Sequence, residues 1–152
     1  DSDEFFNDTE PTSTVFSISS RKHANSNGGM VAYCFAEVEG FSKFGSYTGN
    51  DSADGPFVYT GFQPAFLMIK RAVSGNGNWI MHDSGRDPTN HDSRDYLYAN
   101  LANAQGTDGK VDFLSNGFKQ RSPSSYTSEN ASGSTYVYMA FAEAPFKYAN
   151  AK

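Results

Sequence analysis

The stretch MHDSGRDPTNHDSRD, Met81 to Asp95, is the densest cluster of chemically competent side chains in this 152-residue chain. It holds His82, Asp83, Asp87, His91, Asp92 and Asp95, with Arg86 and Arg94 interleaved. Hard cations such as Ca²⁺ take several carboxylate and carbonyl oxygens, which makes Asp83, Asp87, Asp92 and Asp95 the metal candidates. The spacing matches no EF-hand loop, however, and two arginines compete for the same carboxylates. His82 and His91 bring no third strong ligand, which argues against zinc. The expectation is a solvated loop laced with Arg–Asp pairs, holding neither metal nor other cofactor.

Acid–base chemistry is the second class to weigh. Asp83, Asp87, Glu37 and Glu143 could be paired for glycoside hydrolysis, but such a pair needs a defined separation across a groove. Glu37 and Glu143 occupy matching places in an internal echo described below, which suits a structural contact better than two copies of an active site. No Ser/His/Asp arrangement has the context of a nucleophile elbow. The chain is expected not to be an enzyme, and no catalytic residue is assigned. Trp79 is the one glycan-binding candidate, since an aromatic face after a Gly-rich turn can stack on a sugar ring. Its alternative role is to open a core strand and cover the end of a sandwich.

These residues need positioning elements, and the composition says which kind. Phe and Tyr number 13 and 9 and dominate the apolar share, alongside 14 Gly. Aromatics suit a pleated surface, and Gly, Asn, Asp and Ser suit tight turns. No apolar pattern holds helical spacing for three turns. Strands are predicted at Thr14–Ser19, Met30–Val38, and around FGSYTGN, GPFVYTGF, PAFLMIKR, WIMHDS, DYLYANL, KVDFLSNGFKQR and STYVYMAFAE. Turns are placed at Ser74–Asn78 and Asn116-Gly117. PAFLMIK and YVYMAFA are apolar on both faces and should be central. Turn signals at regular intervals predict an all-β, antiparallel β-sandwich of jelly-roll type.

The net charge of −5 argues against nucleic acid as a partner. No apolar run approaches the ~18 residues needed to cross a bilayer. Cys34 is the only cysteine, so no internal disulfide forms. It reads as a small core residue, and Tyr136 and Tyr138 as lining a subunit interface. The sequons at Asn7, Asn50 and Asn130 are attributed to chance in a chain rich in Asn, Ser and Thr. The start DSDEFFNDTE reads as a processed end or as part of a longer chain.

MVAYCFAEVEGF, from Met30, is echoed by YVYMAFAEAPF, from Tyr136. At an offset of 106 the echo pairs Val31 with Val137 and Phe35-Ala36-Glu37 with Phe141-Ala142-Glu143. Upstream, Val15–Ile18 falls opposite Gly117–Gln120. A fixed period of this kind is the mark of repeated modules. The expected organisation is residues 1–40 as the C-terminal strands of a preceding module, docked, and 41–152 as a complete module.

VAYCFAEVEGFSKFGSYTGN, DGPFVYTGFQPAFLMIKR, GNWIMHDSGRD, LYANLANAQGTD, VDFLSNGFK and YVYMAFAEAPFKYANAK together resemble tandem modules in virion proteins of marine tailed phages. The resemblance spans nearly the whole chain. It implies a tail-fibre-like or head-attached structural module, near the C-terminal end of a larger protein and oligomeric. The implied partners are further copies and other virion proteins, in an extracellular particle. A carbohydrate-binding module for host adsorption, contacting a surface glycan, is the alternative. A glycan-degrading enzyme is the third reading.

Overall fold

The computed structural model describes residues 7–20, 30–72, 77–122 and 129–143. The chain divides into two units, Asp1–Phe35 and Ala36–Lys152.

The second unit is all-β among its described residues. Its strands are β1 (Ser42–Thr48), β2 (Phe57–Tyr59), β3 (Phe66–Arg71), β4 (Ile80–Asp83), β5 (Arg94–Tyr98), β6 (Gly106–Gly109), β7 (Val111–Leu114), β8 (Gly117–Gln120) and β9 (Thr135–Phe141). All pairings are antiparallel. One sheet has the order β1-β9-β3-β4-β5-β6 and the other β2-β8-β7. This is the expected β-sandwich. β3 and β9 lie side by side in the larger sheet with Met68 opposite Met139, as their two-sided apolar character required.

The alternation of the strands sets the core. Tyr47, Leu67, Ile69, Tyr136, Tyr138 and Ala140 of the larger sheet pack with Val58, Val111, Phe113 and Phe118 of the smaller. Tyr136 stacks on Tyr47, their ring centroids 5.1 Å apart. Phe118 meets Tyr47 and Tyr138 edge-on. Tyr136 and Tyr138 are thus core residues and not a subunit interface. The reason is register: they share a face with Ala140, while Val137, Met139 and Phe141 face the other way.

Glycine and aromatic residues work together here. Tyr138 lies directly opposite Gly45, and Tyr96 opposite Gly106. A Cβ on Gly45 would come within 3.0 Å of the Tyr138 hydroxyl, and one on Gly106 within 2.2 Å of the Tyr96 ring. The rings fill the space that the glycines leave, a pairing that restores buried area to an otherwise bare backbone. This accounts for a composition rich in both.

Two expectations about turns and strands change. β6, spelled GTDG, carries no apolar residue and was not anticipated; β5 supplies its ladder. The turn after β7 is Ser115–Asn116, and Gly117 already belongs to β8. There a Cβ would lie 2.1 Å from the Val58 carbonyl oxygen, so close strand approach demands the glycine. The predicted turn at Ser74–Asn78 falls partly outside the described residues, and PFKYANAK beyond Ala144 lies wholly outside them.

In the first unit neither predicted strand forms among the described residues. Residues 14–19 and 30–37 carry no strand, and only Val38, already in the second unit, makes an isolated antiparallel bridge, to Ser42. A strand exists only as part of a ladder, and these stretches find none. Cys34 is exposed in consequence, not a core residue. The boundary between the two compact units falls at 35/36, and Ala36–Val38 is bonded to β1. The Ser42 hydroxyl donates to the Ala36 carbonyl at 3.0 Å, and Glu37 accepts from Lys43 Nζ at 2.8 Å and from the Phe44 N–H at 3.2 Å.

Candidate functional site

The polar loop between β4 and β5 folds around one arginine. Arg94, the first residue of β5, is 1% exposed. Its guanidinium donates to the carbonyls of Val111 (2.9 Å), Asp87 (2.9 Å) and Thr89 (3.3 Å), and to Asn90 Oδ1 (2.9 Å). Its face lies 4.4 Å from the centre of the Phe113 ring. A planar fork of five donors suits such a convergence of carbonyls. Asn90 closes the loop onto β7, accepting from the Phe113 N–H at 2.9 Å and donating to its carbonyl at 2.8 Å.

The four aspartates do different jobs. Asp83 accepts from the Arg86 N–H at 2.7 Å and from Arg86 Nε at 3.0 Å. Asp87, buried, is bonded to His91 Nε2 at 2.8 Å and accepts from the Asp95 N–H at 3.1 Å. Burial pushes its carboxyl upward, but the Asp95 amide, His91 and the Arg94 charge outweigh this and hold it below the usual range. Asp95 accepts from Gln105 at 2.7 Å, and Asp92 is exposed. Among the described residues, no three His, Cys, Asp or Glu side chains gather as a metal would need. The loop is a latch, and its charged centre is buried and not solvated.

Beside it opens a cleft of about 370 Å³, lined by Gln63, Pro64, Ser84, Pro88, Asn90, Arg94, Phe113 and Glu143. Arg94 reaches it with its donors already largely spent on backbone carbonyls.

A second polar group lies deeper. His82 and Glu129 are fully buried and 2.8 Å apart. His82 Nδ1 and Glu129 Oε2 have no hydrogen-bond partner among the described residues. The Tyr47 hydroxyl donates to the Glu129 carbonyl at 2.6 Å and accepts from Gln120 Nε2 at 3.1 Å. Burial pushes the Tyr47 hydroxyl well up from its ordinary range. Next to it Asn130, 0% exposed, donates to Asn50 Oδ1 and to the carbonyls of Ser52 and Ser122. That amide is a tie between loops and is closed to modification in the folded chain. Sequence reasoning did not connect His82 with Glu129, 47 positions apart; no spacing signal marks such a pair.

Trp79 immediately precedes β4. Its N–H donates to Asn100 Oδ1 at 2.9 Å and its carbonyl accepts from Ala99, while 37% of the residue stays exposed. A more open aromatic surface sits on the smaller sheet. Phe57 and Tyr59, on the edge strand β2, face outward and are 47% and 64% exposed. Lys119 and Asp112 stand level with Phe57, and Gly117 and Leu114 level with Tyr59. The signal was present in the sequence: two aromatics at i, i+2 after Pro56, which marks an edge strand. Of the four carboxylates weighed for acid–base chemistry, Glu37 is bonded to Lys43, Asp83 to Arg86 and Asp87 to His91, while Glu143 lines the cleft.

Residues 1–145 match the model of a family described as a domain of unknown function (DUF7483), and the chain belongs to it. No curated protein and no solved structure matches it.

Proposed function

We propose that the chain is a structural module of a virion, tail-fibre-like or head-attached, which works by assembly and not by catalysis. The observation that carries this is where its polar chemistry is spent. Arg94, Asp87, Asn90 and Asn130 tie loops to strands, and His82 and Glu129 are sealed in the core. Apolar side chains are meanwhile displayed on residues 15–18 and 30–35, as a surface meant for other chains would display them. The sequence resemblance points the same way, and its expected partners are further copies and other virion proteins. Antibodies to the chain, applied to particles purified from the source culture, test the reading. It expects label at one defined place on the virion; label confined to particle-free lysate contradicts it.

Host-surface glycan binding is a second reading, favoured by the outward pair Phe57 and Tyr59 with Lys119 and Asp112 beside them. Aromatic faces with a few placed polar groups are the usual make-up of such sites. A glycan array read with the intact chain tests it. Binding lost on Tyr59→Ala but kept on Trp79→Ala supports this face over Trp79, and no binding to any glycan removes the reading.

A further inference from the structure

A sheet edge presents unpaired backbone donors and acceptors, which proteins shorten, charge or cover. Among the described strands the edges are β1 and β6 of the larger sheet and β2 and β7 of the smaller. β2 has three residues and follows Pro56, while β6 and β7 have four each and carry Asp108 and Asp112. β1 is different: it has seven residues and pairs with β9 alone.

Along an antiparallel strand, alternate residues turn both backbone groups toward the neighbour and the rest turn them away. The Phe41 carbonyl accepts from the Ala142 N–H, so Ser42, Phe44, Ser46 and Thr48 are the ones that face away from β9. The Ser42 N–H is taken by the Val38 carbonyl at 2.9 Å, and the Phe44 N–H by Glu37 at 3.2 Å. Past Thr48 the backbone turns inward, with the Gly49 N–H on the Ser134 carbonyl and the Asn50 N–H on Asn130 Oδ1. What stays open is Ser46 and Thr48. Both are exposed, and their outward backbone groups meet no partner among the described residues. The surrounding stretch GSYTG, Gly45–Gly49, carries no charge to repel another strand.

We infer that a second copy of the chain adds its own β1 here, antiparallel, about a two-fold axis at Tyr47. Ser46 then exchanges both backbone bonds with Thr48 of the second copy, and Thr48 does the same with Ser46 of that copy. Every open group finds a partner, as a self-complementary contact requires. The neighbouring register, centred on Ser46, sets Phe44 opposite Thr48, but Glu37 already holds the Phe44 N–H. Glu37 thus fixes the register by covering the rest of the edge. The contact is short, so the pairing is weak, with a dissociation constant on the order of 1 mM or somewhat tighter. It rests on the assembly reading only for the choice of a further copy as partner. Labelling of particles tests that reading separately, and either can fail without the other.

Amide hydrogen exchange of the intact chain at about 10 μM and about 1 mM is the test. The Ser46 and Thr48 amides should slow at least twofold at the higher concentration, while Gly45 and Tyr47, already bonded to β9, stay unchanged. Ser46→Lys and Thr48→Glu each place like charges beside the axis at an exposed position, and each alone should abolish the slowing. An equimolar mixture of S46K and T48E should restore it, because the introduced lysine of one copy then faces the introduced glutamate of the other. The inference is overturned if exchange at Ser46 and Thr48 is independent of concentration, as it would be with a segment of the same chain on this edge. It is equally overturned if the slowing persists in S46K alone, or if the mixture fails to restore it.

Discussion

At the scale of residues, the chain puts its strongest polar groups into loop closure. Asp87 is the acid-sensitive member of the latch, because its carboxyl is held below the ordinary value of about 3.9. A group depressed in the folded state contributes stability above its unfolded value, and that contribution is lost as pH falls through the folded value. Asp87→Asn should therefore unfold at lower denaturant than wild type at neutral pH, the gap closing as pH drops below about 4. Chemical denaturation at a series of pH values checks this; a gap that persists unchanged in acid contradicts it. The buried pair makes a different demand. Glu129→Ala leaves His82 sealed without its partner and should cost ~3–5 kcal/mol. Replacing both members with leucine should cost much less, since the penalty lies in the stranded group. Equilibrium unfolding of the single and double variants separates the two cases.

Elements here are defined by close approach. Gly117 lies 2.1 Å, measured from an added Cβ, from the Val58 backbone oxygen, which cannot swing aside; Gly85 would meet only Asp83 Oδ1 at 3.4 Å. Gly117→Ala should then destabilise by ~1–3 kcal/mol through overpacking. Gly85→Ala should be nearly neutral. Thermal melts of the two variants decide, and equal effects would show that strand approach at β2–β8 is not tight. Element by element, the strands with apolar alternation were legible: β3 and β9 were readable as central because both faces are apolar. β6 was not, since GTDG owes its strand state to pairing with β5 and not to its own side chains. Thr14–Ser19 and Met30–Val38 show the converse, with strong local pattern and no ladder. Local pattern marks what can pair, and only the tertiary partner decides whether it does. The same holds for sites. The density of Asp, His and Arg at 82–95 was visible, but its inward turn around Arg94 rests on carbonyls of Val111, Asp87 and Thr89 that no side-chain pattern reveals.

For the whole molecule, the claim is that the described residues from Ala36 onward form a sandwich while residues 12–20 and 30–35 carry strand sequence and form no strand. The family model matches residues 1–145 and so takes in residues of both units. Residue-resolved hydrogen exchange of the isolated chain tests this most directly, because protection follows laddered, buried amides. The account predicts the slowest exchange in Leu67–Ile69 and Tyr136–Ala140, with residues 15–18 and 31–35 exchanging near the unprotected rate. Protection of 31–35 comparable to that of β9 in a monomeric chain would contradict it, and would make the echoed segment a strand of the same sandwich.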